Sequence, residues 1–134
     1  MSSKPIEVVQ ELFAAFGQGN VSGVLDRLSD DVDWGGDKSD TDVPTHVARR
    51  GRSDVAKFFE AVTAEQDFQK FELRRFFAEG SDVAVLAREE FTFRRSGRHV
   101  GLDVIHHFTV MDGRVTRYRS YYDTSYYAAA WRGS

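Results

Sequence analysis

The chain has 134 residues, 41% hydrophobic and 29% charged, which suits one folded domain with a substantial core and is too apolar for disorder. With 18 Lys and Arg against 21 Asp and Glu, the net charge of −3 argues against nucleic acid as a partner, and the absence of cysteine excludes disulfides and thiolate chemistry. The start, Met1-Ser2-Ser3-Lys4-Pro5, lacks the apolar core of a signal peptide and no run approaches membrane-spanning length, so a cytoplasmic protein with no membrane partner is expected.

Over residues 5–16 the apolar Ile6, Val9, Leu12, Phe13 and Phe16 recur at three- and four-residue steps, which predicts a helix with one buried face, ended by Gly17. Asn20 suits the N-cap of a second, shorter helix carrying Val21, Val24, Leu25 and Leu28. Val32-Asp33-Trp34 then reads as a short strand, broken by Gly35 and Gly36. Residues 36–50 form a polar loop around Pro44, long enough to be a candidate lid. Ser53 is the expected cap of a third helix through Val55, Phe58, Phe59 and Val62. Beyond it the apolar period falls to two, and strands are predicted over 68–78, 83–94, 99–111 and 115–122, joined by short meander turns. Asp123 or Thr124 caps a final short helix reaching Trp131.

Helices followed by strands predict an α+β fold: a cone-shaped, curved antiparallel sheet of mostly long meander strands, covered by three N-terminal helices, with a short C-terminal helix. Residues 1–134 are read as a single domain. The cone would enclose an apolar cavity, and 11 Phe, 5 Tyr and 2 Trp are available to line it.

Strand alternation selects the faces. Val104, His106, Phe108 and Val110 share one side of their strand, Ala87, Glu89, Phe91 and Phe93 one side of the preceding strand, and Tyr118, Ser120 and Tyr122 one side of the last. A turn centred on Ser96-Gly97 sets Glu89 opposite Val104 or His106, and a three-residue turn with a bulge at Asp112-Gly113 sets His106 opposite Tyr118. Glu89, His106 and Tyr118 are thereby the candidate catalytic set, since a carboxyl and an imidazole inside an apolar pocket are suited to proton transfer. The plainer alternative is that Glu89 and His106 satisfy one another within the core. Trp34, Phe58, Phe91, Phe93, Ser120 and Tyr122 are the candidate substrate contacts. His46 in the loop is expected to be solvated. His106 and His107 point to opposite faces and cannot share an ion, so no metal is expected. The clusters Arg49, Arg50, Arg52 and Arg94, Arg95, Arg98 read as solvated turn charges.

Four stretches carry a resemblance over nearly the whole chain: Leu28-Ser29-Asp30-Asp31-Val32-Asp33-Trp34, Arg50-Gly51-Arg52 through Val55-Ala56-Lys57-Phe58-Phe59, Met111-Asp112-Gly113-Arg114-Val115, and Tyr121-Tyr122-Asp123-Thr124. In order and spacing they resemble the SnoaL-like or nuclear transport factor 2-like superfamily, which includes ketosteroid isomerase, limonene epoxide hydrolase and polyketide cyclases. The resemblance implies the cone, a small hydrophobic ligand, a homodimer and chemistry without a cofactor. It implies no complete known catalytic set. The positions of the ketosteroid isomerase residues fall on Leu12, Gly36 (with Asp37 beside it) and His106, and those of the epoxide hydrolase Asp-Arg-Asp set on Glu89, Ala87 and Ser120. The polyketide cyclases, which need chiefly one acid–base group and an apolar pocket, stay compatible. The expected function is binding of a hydrophobic, cyclic or polyketide-like compound, with isomerase, cyclase or hydrolase chemistry. The rival expectation is a non-catalytic association module whose cavity is filled by its own side chains.

Overall fold

The computed structural model describes residues 4–35 and 38–133. Pro5 stands at the start of α1 (Pro5–Gly17), where its missing N–H costs nothing, and Val8, Val9, Leu12, Phe13 and Ala15 form the buried stripe. The side chain of Asn20 accepts from Gly23 N at 2.9 Å and caps α2 (Val21–Asp26), as predicted. Two strands follow, β1 (Leu28–Trp34) and the short β2 (Arg49–Arg50), then α3 (Arg52–Glu65). Four long strands, β3 (Gln66–Glu79), β4 (Asp82–Phe93), β5 (His99–Met111) and β6 (Arg114–Tyr121), precede α4 (Thr124–Arg132), which is capped by Asp123.

The cap of α3 differs from expectation. Gly51, not Ser53, precedes the helix, at φ 82° and ψ 164°, a backbone region open essentially to glycine alone. The reason is β2: its pairing with β1 brings the chain to Gly51, whose N–H bonds Val32 O, and the helix must begin at once. Arg52 then reaches back to Leu28 O (2.9 and 2.7 Å) and Asp30 (3.1 Å), joining α3 to β1 rather than standing in solvent.

Among the described residues the six strands lie in the order β2-β1-β6-β5-β4-β3. β3 to β6 form the expected antiparallel meander, but β1 lies parallel to β6, so the sheet is mixed. Both expected registers are corrected, that of Glu89 by two residues from Val104 or four from His106 and that of His106 by two from Tyr118. The connection after Phe93 puts Phe93 N on Arg98 O, so Glu89 pairs with Leu102. Asp112 (φ 52°) and Gly113 (φ 76°) make a two-residue turn, and a bulge at Thr116 sets His106 opposite Ser120 and Phe108 opposite Tyr118. A slip of two or four leaves each side chain on its predicted face.

β3 carries two bulges, between Phe68 and Lys70 and between Leu73 and Arg75. Each extra residue resets the alternation, so Phe68, Phe71, Leu73 and Phe76 all share the face of Glu89 and Ala87. The core has two parts. One packs α1 to α3 and β1 against the sheet through Val9, Leu12, Phe13, Trp34, Phe59 and Phe108. The other lies under α4, where Val43, Phe91, Phe93, Val100 and Tyr127 meet.

The described part of the 36–50 loop is held in place. Val43 is fully buried, Thr45 hydrogen-bonds Tyr127, and Arg132 of α4 pairs with Asp40 and Asp42. Gly36 and Asp37, which carry the ketosteroid-isomerase base position, lie outside the described residues. Among those described, no helix is long and apolar enough to cross a membrane.

Candidate active site

β4 and β5 alternate strictly in burial, which turns Glu89 and His106 inward from adjacent strands. His106 is four residues from the level of Glu89 along β4, where it pairs with Val85, yet its ring spans the gap. Nε2 lies 2.9 Å from Glu89 Oε2, and Nδ1 lies 2.7 Å from Tyr118 Oη. All three residues are buried. With the ring neutral and protonated at Nε2, Nε2–H donates to the Glu89 carboxylate and Nδ1 accepts from the Tyr118 hydroxyl. A continuous line of polar groups therefore crosses the inner face of three strands.

Around this line is a cavity of about 100 Å3. Its inner wall is Leu102, Val104 and Phe108, and α1 supplies Leu12, Phe13 and Phe16. Phe13 meets the His106 ring edge-on with centroids 5.3 Å apart. Trp34 lies against Tyr118 at 4.1 Å, and its Nε1 is buried with no partner among the described residues. Phe16, Phe58, Phe68 and Phe71 line the cavity half-buried, which marks the side nearest solvent.

Of the predicted contacts, Trp34, Phe58, Ser120 and Tyr122 line the cavity with Glu89, His106 and Tyr118. Phe91 and Phe93 do not, and their assignment as substrate contacts is corrected. They share the face of Glu89, but α4 covers that end of the sheet, and Tyr127 packs edge-on against both at 5.7 and 4.9 Å. Of the epoxide-hydrolase positions, Glu89 and Ser120 reach the cavity and Ala87 does not; of those of ketosteroid isomerase, Leu12 and His106 reach it.

His46 is also placed differently from expectation. It is 1% exposed and stacked on Tyr127 at 4.9 Å, and neither ring nitrogen has a hydrogen-bond partner among the described residues. Burial, reinforced by the charge of Lys38, lowers its pKa to about 4, with Asp40 and Asp42 opposing. His107, on the opposite face from His106, pairs with Asp82 at 2.9 Å. Among the described residues no group of three or more His, Asp or Glu is arranged to hold a metal.

A model of the SnoaL-like domain matches residues 9–118. The chain belongs to the SnoaL-like domain family. No curated protein matches it. Among solved structures, this SnoaL-like domain is similar to a nuclear transport factor 2-like protein of unknown function from Burkholderia pseudomallei, at 22% identity and TM-score 0.86, covering 96% of this chain and 97% of that one. TerC, co-crystallised with polyporic acid, is 25% identical with TM-score 0.84, over 97% and 99% of the two chains. A candidate SnoaL-like polyketide cyclase from Mesorhizobium loti shares the fold at 17% identity and TM-score 0.75, covering 90% and 100%.

The SnoaL-like domain also brings to the cavity residues that the sequence reading left out: Gln66, Phe71, Thr45 and Tyr127. For Phe71 a signal existed, since the steps Phe68–Phe71 and Leu73–Phe76 are three residues long inside a strand, the trace that a bulge leaves. Nothing local marks Gln66 or Tyr127, which meet only when α4 folds onto the start of β3.

Proposed function

We propose that this SnoaL-like domain binds a hydrophobic ring compound in the cavity and moves a proton on it, in an isomerase-, cyclase- or hydrolase-type step carried by Glu89, His106 and Tyr118. The supporting observation is the Glu89–His106–Tyr118 line inside an aromatic enclosure. Glu89 Oε2 is held by His106, while Oε1 has no partner among the described residues and is the base. It takes the proton from a carbon beside a ligand carbonyl, and the electron pair moves into the enolate. Return of the proton to another carbon completes an isomerisation. His106 fixes the carboxylate, and Tyr118 holds the imidazole in the required tautomer. Trp34, Phe58 and Tyr122 form the walls, with Ser120 beside His106. The shuttle uses side chains alone and needs no cofactor. That TerC was co-crystallised with polyporic acid supports a ligand in this fold.

The test is exchange of the acidic C–H of 2-tetralone in deuterated buffer, followed by NMR. The wild-type protein should accelerate it, and Glu89→Gln should lower the protein-dependent rate by about 10²–10⁴ while keeping the fold. Equal rates for the two proteins would remove Glu89 from the chemistry.

The proposal includes a homodimer formed through the outer face of the sheet. Ile105 and Tyr121 stand side by side there, 43% and 48% exposed, and the helices pack against the inner-face residues.

A further inference from the structure

A second polar group lines the cavity apart from the Glu89–His106–Tyr118 line. Gln66, the first residue of β3, is 7% exposed and pairs with Phe93, whereas Glu89 pairs with Phe71. Gln66 therefore stands four residues beyond Glu89 along β4, about 13 Å of strand, and His106, level with Val85, stands on the other side. Its side-chain oxygen accepts from the Tyr127 hydroxyl at 2.8 Å, and that hydroxyl also meets Thr45 Oγ1. Burial, with lesser contributions from the charges of Glu89 and Glu65, pushes the Tyr127 hydroxyl above its ordinary pKa, so it stays a phenol that donates to Gln66. The amide is thus fixed with its oxygen turned to Tyr127. Its nitrogen, a donor with two hydrogens, has no partner among the described residues. That nitrogen is left to donate into the cavity, which Gln66 lines.

We propose that Gln66 is a second anchor of the cavity, its amide nitrogen donating to a ligand oxygen at the end away from His106. The ligand class is then an apolar ring compound with oxygen functions at both ends, one handled by the Glu89–His106–Tyr118 line and one held by Gln66. Tyr127 and Thr45 are positioning residues that keep the amide turned. This inference rests on the reading of the cavity as a ligand site.

The experiment compares 2-naphthol with 2,6-dihydroxynaphthalene by isothermal titration calorimetry. On the wild-type protein the second hydroxyl should tighten binding by about 3–10-fold, the value of one hydrogen bond. In Gln66→Met, which keeps length and removes the donor, the ratio of the two affinities should fall to about one. Tyr127→Phe, which frees the amide to rotate, should reduce the ratio in part, with near-ultraviolet circular dichroism confirming the fold of both variants. A dihydroxynaphthalene preference that persists in Gln66→Met overturns the anchor and leaves the cavity reading standing. Failure of the wild-type protein to bind either naphthol overturns both.

Discussion

His46 and Tyr118 carry consequences for stability that a change of one side chain exposes. His46 is buried uncharged, and its pKa falls from the ordinary 6.5 to about 4. The unfolded chain therefore binds the proton more readily than the folded one, and stability present above pH 6.5 is lost as pH falls toward 4. The full loss attributable to this residue is about 3 kcal/mol. Urea unfolding across that range should show a steeper acid decline for the wild-type protein than for His46→Phe, which keeps the stack on Tyr127 and removes the titrating group. Parallel pH curves would show that His46 is not the origin. Tyr118→Phe leaves the buried Nδ1 of His106 without its partner. We expect it to cost about 1–3 kcal/mol in the same measurement.

At the scale of elements, the connection between β1, β2 and α3 depends on one backbone conformation. A Cβ on Gly51 would lie 3.2 Å from Asp30 O, and the φ of 82° with extended ψ suits glycine alone. Gly51→Ala should destabilise by about 1–3 kcal/mol, read as a lower urea midpoint with an unchanged slope. A stability equal to wild type would mean that the turn relaxes without strain. The bulges of β3 act in the other direction, as designed irregularity. By adding one residue each, they keep Phe68, Phe71 and Phe76 on the inner face, where a regular strand would turn alternate members outward. α4 decides where the cavity ends, since Tyr127 covers Phe91 and Phe93 on one side and meets Gln66 on the other.

For the whole molecule, a compound that binds only the folded state must raise the melting temperature, and at 100 times its Kd the stabilisation is about 2.7 kcal/mol. A thermal-shift screen of hydrophobic ring ketones and phenols should therefore return compounds that stabilise the wild-type protein. No response from any of them would favour the rival view of an association module with a self-filled core. The dimer is tested by light scattering at micromolar concentration, where we expect twice the chain mass of 15.2 kDa. Ile105→Glu should then lower the mass toward a single chain, because a charge would be buried opposite its symmetry mate.

What the sequence by itself determined was local: the buried faces of α1 and α3, the cap at Asn20, the meander, and the inward side of Glu89, His106 and Tyr118, while it left the cap of α4 between Asp123 and Thr124 and put Leu28, the first residue of β1, on α2. The physical reason is that helical periodicity and strand alternation are properties of the chain over a few residues, and parity survives a register error of two. Tertiary structure decided what those inward side chains meet. Register depends on the turn after Phe93 and the bulge at Thr116, which place His106 opposite Ser120 and still let its ring reach both Glu89 and Tyr118. Phe91 and Phe93 have the same parity as Glu89 and a different fate, because a helix from the far end of the chain covers them. His46, Gln66 and Tyr127 come together across more than eighty residues of sequence, and such contacts follow from packing of the whole chain rather than from any pattern along it.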